Sequence, residues 1–245
     1  MHTVKLSEGL LSESKYTAKI MREKIATIVG ATGMIGNYLL EALLKDDYFT
    51  TVRIIVRRPY PKTDPKMEVK LVDFNDAESF KLALEESDII FCCIGTTQKN
   101  VKGDNTLYRK IDYDIPLKAA RFGKEAGCEK FIIITSVGAN SHSSTFYLKL
   151  KGELENAIHS VGMEAVHIFQ PSMLLGERKE KRTGEKLLQG STKLISGLFV
   201  GSLRKFKAIH GKTVAKAMLN AAKKNDKGFF RYTYDEINKL AGEVL

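Results

Sequence analysis

A serine, a tyrosine and a lysine with spacing suited to proton transfer occur at Ser136, Tyr147 and Lys151. Tyr147 and Lys151 are four residues apart, so on a helix they share one face and the ammonium can lie near the phenol. A free phenol ionises at about pH 10, but a nearby cation favours the phenolate. Tyr147 can then act as a general acid–base while Ser136 hydrogen-bonds a reacting carbonyl oxygen.

A strand and a helix must position these three residues. Ser136 directly follows the apolar run 131–135, which predicts a strand, and Tyr147 opens the helical pattern Phe146–Val161. Alone, a tyrosine four residues before a lysine is common on amphipathic helices and carries no chemistry. Beside a strand that ends in serine, the same pair predicts a catalytic site with Ser136, Tyr147 and Lys151 in these roles.

A ladder of glycines follows the apolar run Ile25–Val29 and leads into a leucine-rich helical pattern. A turn without Cβ atoms lets backbone N–H groups approach a pyrophosphate, and the helix N-terminus adds a positive partial charge. A strand, a tight turn and a helix in this order predict a dinucleotide phosphate site. The residues assigned to it are Gly30, Thr32, Gly33, Met34, Ile35 and Gly36.

The end of the second predicted strand distinguishes between the two nicotinamide dinucleotides. NAD-preferring sites place an acidic side chain there for the ribose 2′-OH, whereas this chain has Arg57 and Arg58. Two guanidinium groups can bind a 2′-phosphate, which favours NADP(H) over NAD(H). The alternative is an ordinary basic strand end before a proline turn. At the end of the third strand, Asp73 and Phe74 are candidates for holding the adenine.

The fourth predicted strand ends in Gly95, Thr96 and Thr97. A glycine there lets the backbone pass close to a cofactor, and the two hydroxyls can bind ribose or phosphate. An ordinary strand-end turn is the alternative. A bound oxidised nicotinamide would, like the Lys151 ammonium, favour the Tyr147 phenolate. Lys151 would also anchor the nicotinamide ribose.

Strand-like and helix-like runs alternate along the chain, which predicts an α/β protein with a doubly wound, mostly parallel sheet. In such a sheet the ligand crevice lies at the carboxyl ends of the strands, where every motif above falls. The predicted strands are Lys24–Val29, Val52–Val56, Glu68–Val72, Ile89–Ile94, Lys130–Thr135 and Ala165–Phe169. The predicted helices are Ile35–Lys45, Ala77–Glu85, Thr106–Ala126 and Phe146–Val161.

We expect a single domain over residues 1–245, with a dinucleotide-binding core at 24–170 and a small C-terminal substrate lobe at 171–245 interleaved with it. Residues 5–23 have an imperfect amphipathic helical pattern. This N-terminal arm either packs on its own sheet or serves a homodimer. A charged run after residue 176 leads to a further predicted helix near Gly184–Ser196, in the lobe.

Composition narrows the classes of partner. The chain has 245 residues, 43% of them apolar, and a net charge of +10. Its cations are dispersed without a basic stripe or a nucleic-acid-binding motif, so we do not expect nucleic acid as a partner. Its three cysteines and five histidines lack metal-ligand spacing, and no apolar run is long enough to span a bilayer. We therefore expect a cytoplasmic protein without metal.

Together these motifs resemble the atypical short-chain dehydrogenases/reductases, and more narrowly the HIV Tat-interactive-protein oxidoreductase family. The resemblance covers nearly the whole chain. It implies an NAD(P)-binding Rossmann fold, NADP(H) binding and a carbonyl-reductase-like site. The segments that carry it, besides the glycine ladder and the arginine pair, are Val72-Asp73-Phe74, the sequence Phe91 to Thr97 with two cysteines, Asp112-Tyr113, Tyr147 to Glu153 and Gln170 to Leu175.

The chain departs from the family pattern at two positions. Asp112 stands where extended members often have an asparagine, which puts a relay through an amide in doubt. Gln170 precedes Pro171 where the family usually has arginine, which removes a charge beside the nicotinamide end. The loop that begins with Pro171 and Ser172 could still pack its backbone against the nicotinamide carboxamide.

The sequence therefore predicts an NADP(H)-dependent oxidoreductase that reduces a small-molecule carbonyl substrate of unknown identity. Two alternatives stay open. One is an NADP(H)-binding sensor or regulatory scaffold without turnover, because a binding fold does not imply catalysis. The other is a nucleotide-sugar epimerase or dehydratase, which would need a larger C-terminal lobe than about 75 residues readily supply.

Overall fold

Short apolar runs form the strands of a central sheet, and longer amphipathic runs form the helices that cover it. The computed structural model describes residues 24–176 and 201–242. The strands are β1 (Ile25–Val29), β2 (Thr51–Val56), β3 (Met67–Leu71), β4 (Ile89–Cys92), β5 (Lys130–Ile134), β6 (Ala165–Phe169), β7 (Leu174–Leu175), β8 (Ile209–His210) and β9 (Gly228–Tyr232). The helices are α1 (Met34–Leu44), α2 (Ala77–Leu82), α3 (Asn105–Arg109), α4 (Ile115–Glu125), α5 (Phe146–Val161), α6 (Gly211–Lys223) and α7 (Tyr234–Gly242). A π-helical turn, Lys110–Asp114, joins α3 to α4, and a 3₁₀ helix spans Gly201–Phe206.

Seven parallel strands form the sheet in the order β3-β2-β1-β4-β5-β6-β9. Strand β1 pairs with β2 on one side and β4 on the other, so the strand order reverses at β1. A crevice for a ligand opens at such a reversal, outside the carboxyl ends of the strands. A separate pair of short parallel strands, β7 and β8, lies outside this sheet.

Apolar clusters cover both faces of the sheet because alternate residues of each strand point to opposite faces. Ile28 and Phe91 belong to the cluster that contains residues of α1, α6 and α7. Their neighbours Val29 and Ile90 belong to the cluster that contains residues of α2, α4 and α5. The predicted α/β fold, a doubly wound parallel sheet, is confirmed.

The structure contains all six predicted strands, within about two residues at each end. The predicted helix Thr106–Ala126 is present but is interrupted by the π-helical turn, and the predicted helix Ala77–Glu85 ends at Leu82. Strand β9 was not predicted and lies in the segment assigned to the C-terminal lobe. The division of the chain at residue 170 stays a prediction. The arm at 5–23 and the helix near Gly184–Ser196 lie outside the described residues.

Within the described ranges, no helix has both the length and the apolar character needed to cross a membrane. The same ranges contain no group of three or more His, Cys, Asp or Glu side chains arranged to hold a metal ion.

A buried histidine lies on β6, the strand that pairs with β9. His167 has no exposed surface, its Nδ1 is 2.9 Å from the Tyr232 hydroxyl and its Nε2 is 3.2 Å from an Asp226 carboxylate oxygen. Burial lowers the pKa of His167 from its ordinary 6.5 to about 4. The Lys130 ammonium acts in the same direction, whereas Asp226 opposes it. The folded protein therefore holds this ring neutral.

This histidine should make the stability depend on pH. In the unfolded chain His167 becomes protonated as the pH falls below about 6.5, whereas in the folded protein it stays neutral down to about pH 4. Between these two pH values the unfolded state binds one more proton than the folded state. The free energy of unfolding should therefore fall by up to about 3 kcal/mol as the pH is lowered from about 6.5 to about 4. His167→Gln should remove much of this pH dependence. Urea unfolding at about pH 7 and about pH 5, between which about 2 kcal/mol of this loss is expected, measures it, with the exposed-histidine variant His142→Gln as the control. Equal losses of stability in the parent and His167→Gln would contradict the prediction.

Candidate active site

A cleft of about 1040 Å³ opens at the carboxyl edge of the sheet, where the strand order reverses. Its lining includes residues from both predicted parts of the site: the glycine turn for the cofactor phosphates and the polar residues of α5 for proton transfer. The predicted site residues that line it are Thr32, Gly33, Met34, Ile35, Gly95, Thr96, Thr97, Ser136, Tyr147, Lys151, Pro171 and Ser172. The predicted residues outside its lining are Gly30, Gly36, Arg57, Arg58, Asp73 and Phe74.

The three glycines of the ladder have different structural roles. Gly30 has a φ of +97°, and a Cβ there would lie 2.7 Å from the backbone of Cys93. A Cβ at Gly36 would lie 2.2 Å from the Gly30 carbonyl oxygen. Gly30 lets β1 end against β4, and Gly36 lets α1 pack against the turn. Both are required by the protein's own packing.

Gly33 is the ladder glycine that faces the cleft. It is exposed, and a Cβ there would meet protein atoms only at 3.5 Å or more. It is also the N-cap of α1, and no side chain closes that helix end. The first turn of α1 therefore directs backbone N–H groups into the cleft without a competing side-chain acceptor, as a dinucleotide pyrophosphate requires. The lining thus fits the predicted cofactor at this end.

The predicted selectivity residues Arg57 and Arg58 follow β2, which runs beside β1. Both side chains are exposed and lie at the same sheet edge as the glycine turn, beyond the lining of the cleft. No acidic residue stands directly after β2. This end of the site therefore presents positive charge towards solvent.

The two residues predicted to hold the adenine differ in their exposure to solvent. Asp73 is exposed, and one of its carboxylate oxygens accepts hydrogen bonds from the backbone and side-chain nitrogens of Asn75 at 2.9 and 2.8 Å. The Phe74 ring is buried and packs edge-to-face on Phe80 with centroids 4.9 Å apart. Phe74 is thus a core residue, and its ring does not present a face to the cleft.

The three predicted catalytic residues line the same cleft. Ser136 follows β5, while Tyr147 and Lys151 lie on the first turns of α5. The Lys151 ammonium is 6.0 Å from the centroid of the Tyr147 ring. Helix α5 can approach the Ser136 loop because residue 152 is glycine: a Cβ at Gly152 would lie 2.2 Å from the Ser141 backbone nitrogen.

An aromatic cluster fixes the Tyr147 ring. Tyr108 on α3 packs edge-to-face against Phe146 and Tyr147, with centroids 5.7 and 6.4 Å apart. Val101 and Leu150 complete the buried part of the cluster. The Tyr108 hydroxyl also donates to the Thr96 carbonyl oxygen at 3.3 Å. The phenol of Tyr147 therefore has a restricted orientation in the cleft.

Sequence reasoning did not predict the buried ion pair of the site. Lys151 is buried and donates to the carboxylate of Asp112 at 2.8 Å. The second oxygen of Asp112 accepts the backbone N–H of Thr96 at 2.7 Å. Asp112 lies in the π-helical turn, and it is itself buried. Its carboxylate thus joins the lysine of α5 to the loop after β4.

A second buried carboxylate lies one turn further along α5. Glu155 accepts hydrogen bonds from Thr135 at 2.7 Å, from Gln170 at 2.8 Å and from Arg231 on β9 at 2.9 Å. Gln170, the departure from the family pattern, is therefore used to bind Glu155. This network joins β5, the end of β6 and β9 directly behind the Ser136 loop. The acidic residue four positions after Lys151 was the available sequence signal.

The cysteines at the end of β4 are not activated nucleophiles. Burial raises the pKa of the Cys92 thiol to about 12, and burial also raises the pKa of Cys93. Such a thiol is protonated at neutral pH, and a protonated thiol is a poor nucleophile.

The cleft is also lined by residues that sequence reasoning did not assign to the site. They are Ile94, Lys99, Asn100, Ile134, Met173 and Leu174.

A doubly wound parallel sheet with a glycine turn and a cleft at its carboxyl edge defines a dinucleotide-binding protein of the Rossmann type. The sequence matches the family described as NAD(P)H-binding over residues 30–225. The chain belongs to this family, among the atypical short-chain dehydrogenases/reductases that include HTATIP2 and FMP52.

The relatives cover most of the chain. Protein HTATIP2 of Rattus norvegicus is 32% identical over 203 residues, which is 82% of this chain and 81% of the relative. The mitochondrial protein FMP52 of Debaryomyces hansenii is 34% identical over 204 residues, 80% of this chain and 87% of the relative. The mitochondrial protein fmp52 of Aspergillus niger is 32% identical over 204 residues, 80% and 86% of the two chains.

These names correct one expectation. The cytoplasmic location expected from the sequence is wrong when compared with the fungal relatives, whose names place them in mitochondria. The expectation came from the absence of a long apolar segment, which does not distinguish one aqueous compartment from another.

Solved structures share the fold at low identity. WbmH of Bordetella bronchiseptica in complex with NAD⁺ has a TM-score of 0.66 at 14% identity, covering 87% of this chain and 76% of that one. The UDP-glucose 4-epimerase of Thermotoga maritima has a TM-score of 0.64 at 14% identity, covering 89% and 80%. At these identities the likeness establishes the Rossmann-type fold alone.

Proposed function

We propose that the protein is an NADP(H)-dependent oxidoreductase that reduces a small-molecule carbonyl compound. The observation that carries this proposal is that Ser136, Tyr147 and Lys151 line the same cleft as the glycine turn. A bound nicotinamide cofactor would supply hydride to the carbonyl carbon. The cleft is large enough for a ligand beyond the size of a typical drug molecule, which suits a cofactor together with a small substrate.

The residues of the chain handle the oxygen of the substrate. Tyr147 donates its phenolic proton to the carbonyl oxygen as negative charge develops there, and Ser136 donates a second hydrogen bond to the same oxygen. Lys151 supports the resulting phenolate with its positive charge and contributes to holding the nicotinamide ribose. Half-buried apolar side chains, Ile134, Met173 and Leu174, line the cleft and limit the water around the reacting atoms.

A fluorescence titration with NADPH and NADH tests cofactor binding, and a panel of carbonyl and quinone compounds tests turnover. We expect NADPH to bind more tightly and at least one panel compound to be reduced. Binding without turnover would favour the alternative of a regulatory NADP(H) sensor. Turnover of a nucleotide sugar without net redox change would favour an epimerase, the activity by which the Thermotoga maritima protein of the same fold is named.

The preference for NADPH should depend on the arginine pair after β2. The double substitution Arg57→Ala/Arg58→Ala should weaken NADPH binding by about tenfold or more and change NADH binding little, because charge-assisted hydrogen bonds to a 2′-phosphate contribute about 1.5–3 kcal/mol. The two dissociation constants measured side by side give the ratio. Lys62→Ala is the control, since Lys62 is also an exposed cation after β2. An unchanged ratio in the double variant contradicts the NADP(H) assignment.

A further inference from the structure

A further pocket, of about 390 Å³, lies beside the loop that follows Ser136. Its walls are residues 138–141 of that loop, one face of α5, Arg231 on β9 and Lys205 on the 3₁₀ helix. Among the described residues, none lines both this pocket and the cleft. Its volume is at the lower end of the range for ligand pockets. A small molecule therefore has room to bind here apart from a cofactor in the cleft.

Arg231 presents a fixed guanidinium to this pocket. Its Nε donates to Glu155 at 2.9 Å, and its guanidinium carbon lies 4.7 Å from the centroid of the Phe229 ring. Within the described ranges, neither of its Nη groups has a hydrogen-bond partner, and the side chain is 47% exposed. Two contacts thus hold the group in place while most of its N–H donors stay available.

The carboxylate of the pocket is already occupied. One oxygen of Glu155 accepts from Thr135 and Gln170, and the other accepts from Arg231. This arrangement leaves little capacity to coordinate a cation, and Arg231 balances the negative charge. Lys205 is exposed and forms no ion pair with another described residue. The lining therefore has one positive charge in excess.

The loop adds neutral donors to the same pocket. The side-chain oxygen of Asn140 accepts the backbone N–H of His142 at 2.9 Å, which leaves its amide N–H groups for another partner. The Ser141 hydroxyl oxygen accepts from Asn156 at 3.2 Å, so its hydrogen can be donated elsewhere. Gly152 lets α5 approach the loop, because a Cβ there would lie 2.2 Å from the Ser141 backbone nitrogen. Uncommitted donors from two elements thus converge on one pocket.

We propose that this pocket binds a small oxyanion, a carboxylate or a phosphate monoester. The two Nη groups of Arg231 match two oxygens of such an anion, and Lys205 supplies the charge that balances it. An excess of donors and of positive charge does not suit a cation or an apolar molecule. The proposal does not depend on the reductase activity, because its groups lie outside the cleft.

The test is calorimetric titration of the protein with inorganic phosphate and, separately, with succinate at constant ionic strength. The glycine turn is itself expected to bind phosphate, so only binding that substitutions in this pocket weaken is assigned to it. Lys205→Gln should weaken that binding about threefold, as expected for one exposed charge. Arg231→Lys should weaken it about tenfold, because lysine keeps the charge beside Glu155 but lacks the paired N–H groups.

The control is Lys212→Gln, which removes an exposed cation of α6 outside the lining and should change the affinity by less than about twofold. Tighter binding of phosphate would identify a phosphate ligand, and tighter binding of succinate a carboxylate. The proposal is overturned if neither probe shows saturable binding below about 10 mM. Equal affinities in the parent and Arg231→Lys would overturn it as well.

A second pair of variants leaves Arg231 and its contact with Glu155 unchanged. Ala139→Glu adds a carboxylate at the pocket wall, where it competes with the probe, so the affinity should fall at least about tenfold. Ser144→Glu adds the same charge at an exposed position of the same loop outside the lining, and its affinity should stay within about threefold of the parent. Equal binding by these two variants would overturn the proposal, whether or not any carbonyl compound is reduced.

Discussion

Tyr147→Phe is expected to lower the rate of carbonyl reduction by a factor of about 10² to 10⁴ while NADPH binds as in the parent. The substitution removes one oxygen atom and keeps the ring, so the aromatic contacts with Tyr108 and the packing of the cluster stay in place. What is lost is the proton donor for the substrate oxygen. The measurement is the single-turnover rate of NADPH oxidation with whichever panel compound the parent reduces.

A matched substitution separates this effect from the loss of any tyrosine hydroxyl. Tyr113 lies in the π-helical turn, its ring packs under Arg109 at 4.1 Å, and it does not line the cleft. Tyr113→Phe should therefore leave the rate within about twofold of the parent. If Tyr147→Phe retained more than a tenth of the parent rate, the proposed mechanism would be wrong.

The positions of the glycine turn and of Ser136, Tyr147 and Lys151 in one cleft could be predicted because their geometry is local. The order strand, turn and helix is fixed by residues 25–44, and the parallel sheet brings every strand end to one edge. Tyr147 and Lys151 face the same cleft because they are one helical turn apart. Short sequence separations and a regular sheet are sufficient to place these groups.

The contact between Asp112 and Lys151 could not be predicted in the same way. A regular helix over Thr106–Ala126 was the sequence expectation, and the direction of each side chain in it follows a period of 3.6 residues. The π-helical turn breaks that period at the position where Asp112 meets Lys151. The identity of the residue was visible as a departure from the family pattern, but its contact depends on an irregularity in the backbone.

The network around Glu155 was missed for a different reason. Its donors come from β5, from the end of β6 and from β9, so the contact requires the tertiary arrangement of distant segments. Strand β9 itself has only a partly buried pattern, as expected at a sheet edge. Phe74 was likewise assigned to the adenine from its place after a strand, whereas its contact with Phe80 shows that it belongs to the core. Burial of this kind is decided by packing that sequence patterns do not specify.

Replacement by alanine should affect folding at Gly36 and cofactor binding at Gly33, although the spacing of the two glycines makes them look equivalent in the sequence. A Cβ at Gly36 would lie 2.2 Å from the Gly30 carbonyl oxygen and 2.9 Å from the Ala31 Cα, both in backbone that cannot move without disturbing β1. Gly36→Ala is therefore expected to lower the free energy of unfolding by about 3 kcal/mol or more, or to prevent folding. Urea unfolding measures this loss.

Gly33→Ala should leave the fold nearly intact, because a Cβ there meets protein atoms only at ordinary contact distances of 3.5 and 3.8 Å. Its stability should stay within about 1 kcal/mol of the parent, as for other substitutions at a helix N-cap. The methyl group would occupy the space where backbone N–H groups approach the pyrophosphate, so NADPH should bind at least about tenfold more weakly. The two variants thus separate packing from binding within a single turn. A Gly33→Ala protein that binds NADPH like the parent, or a Gly36→Ala protein as stable as the parent, would show that the roles assigned to these two glycines are wrong.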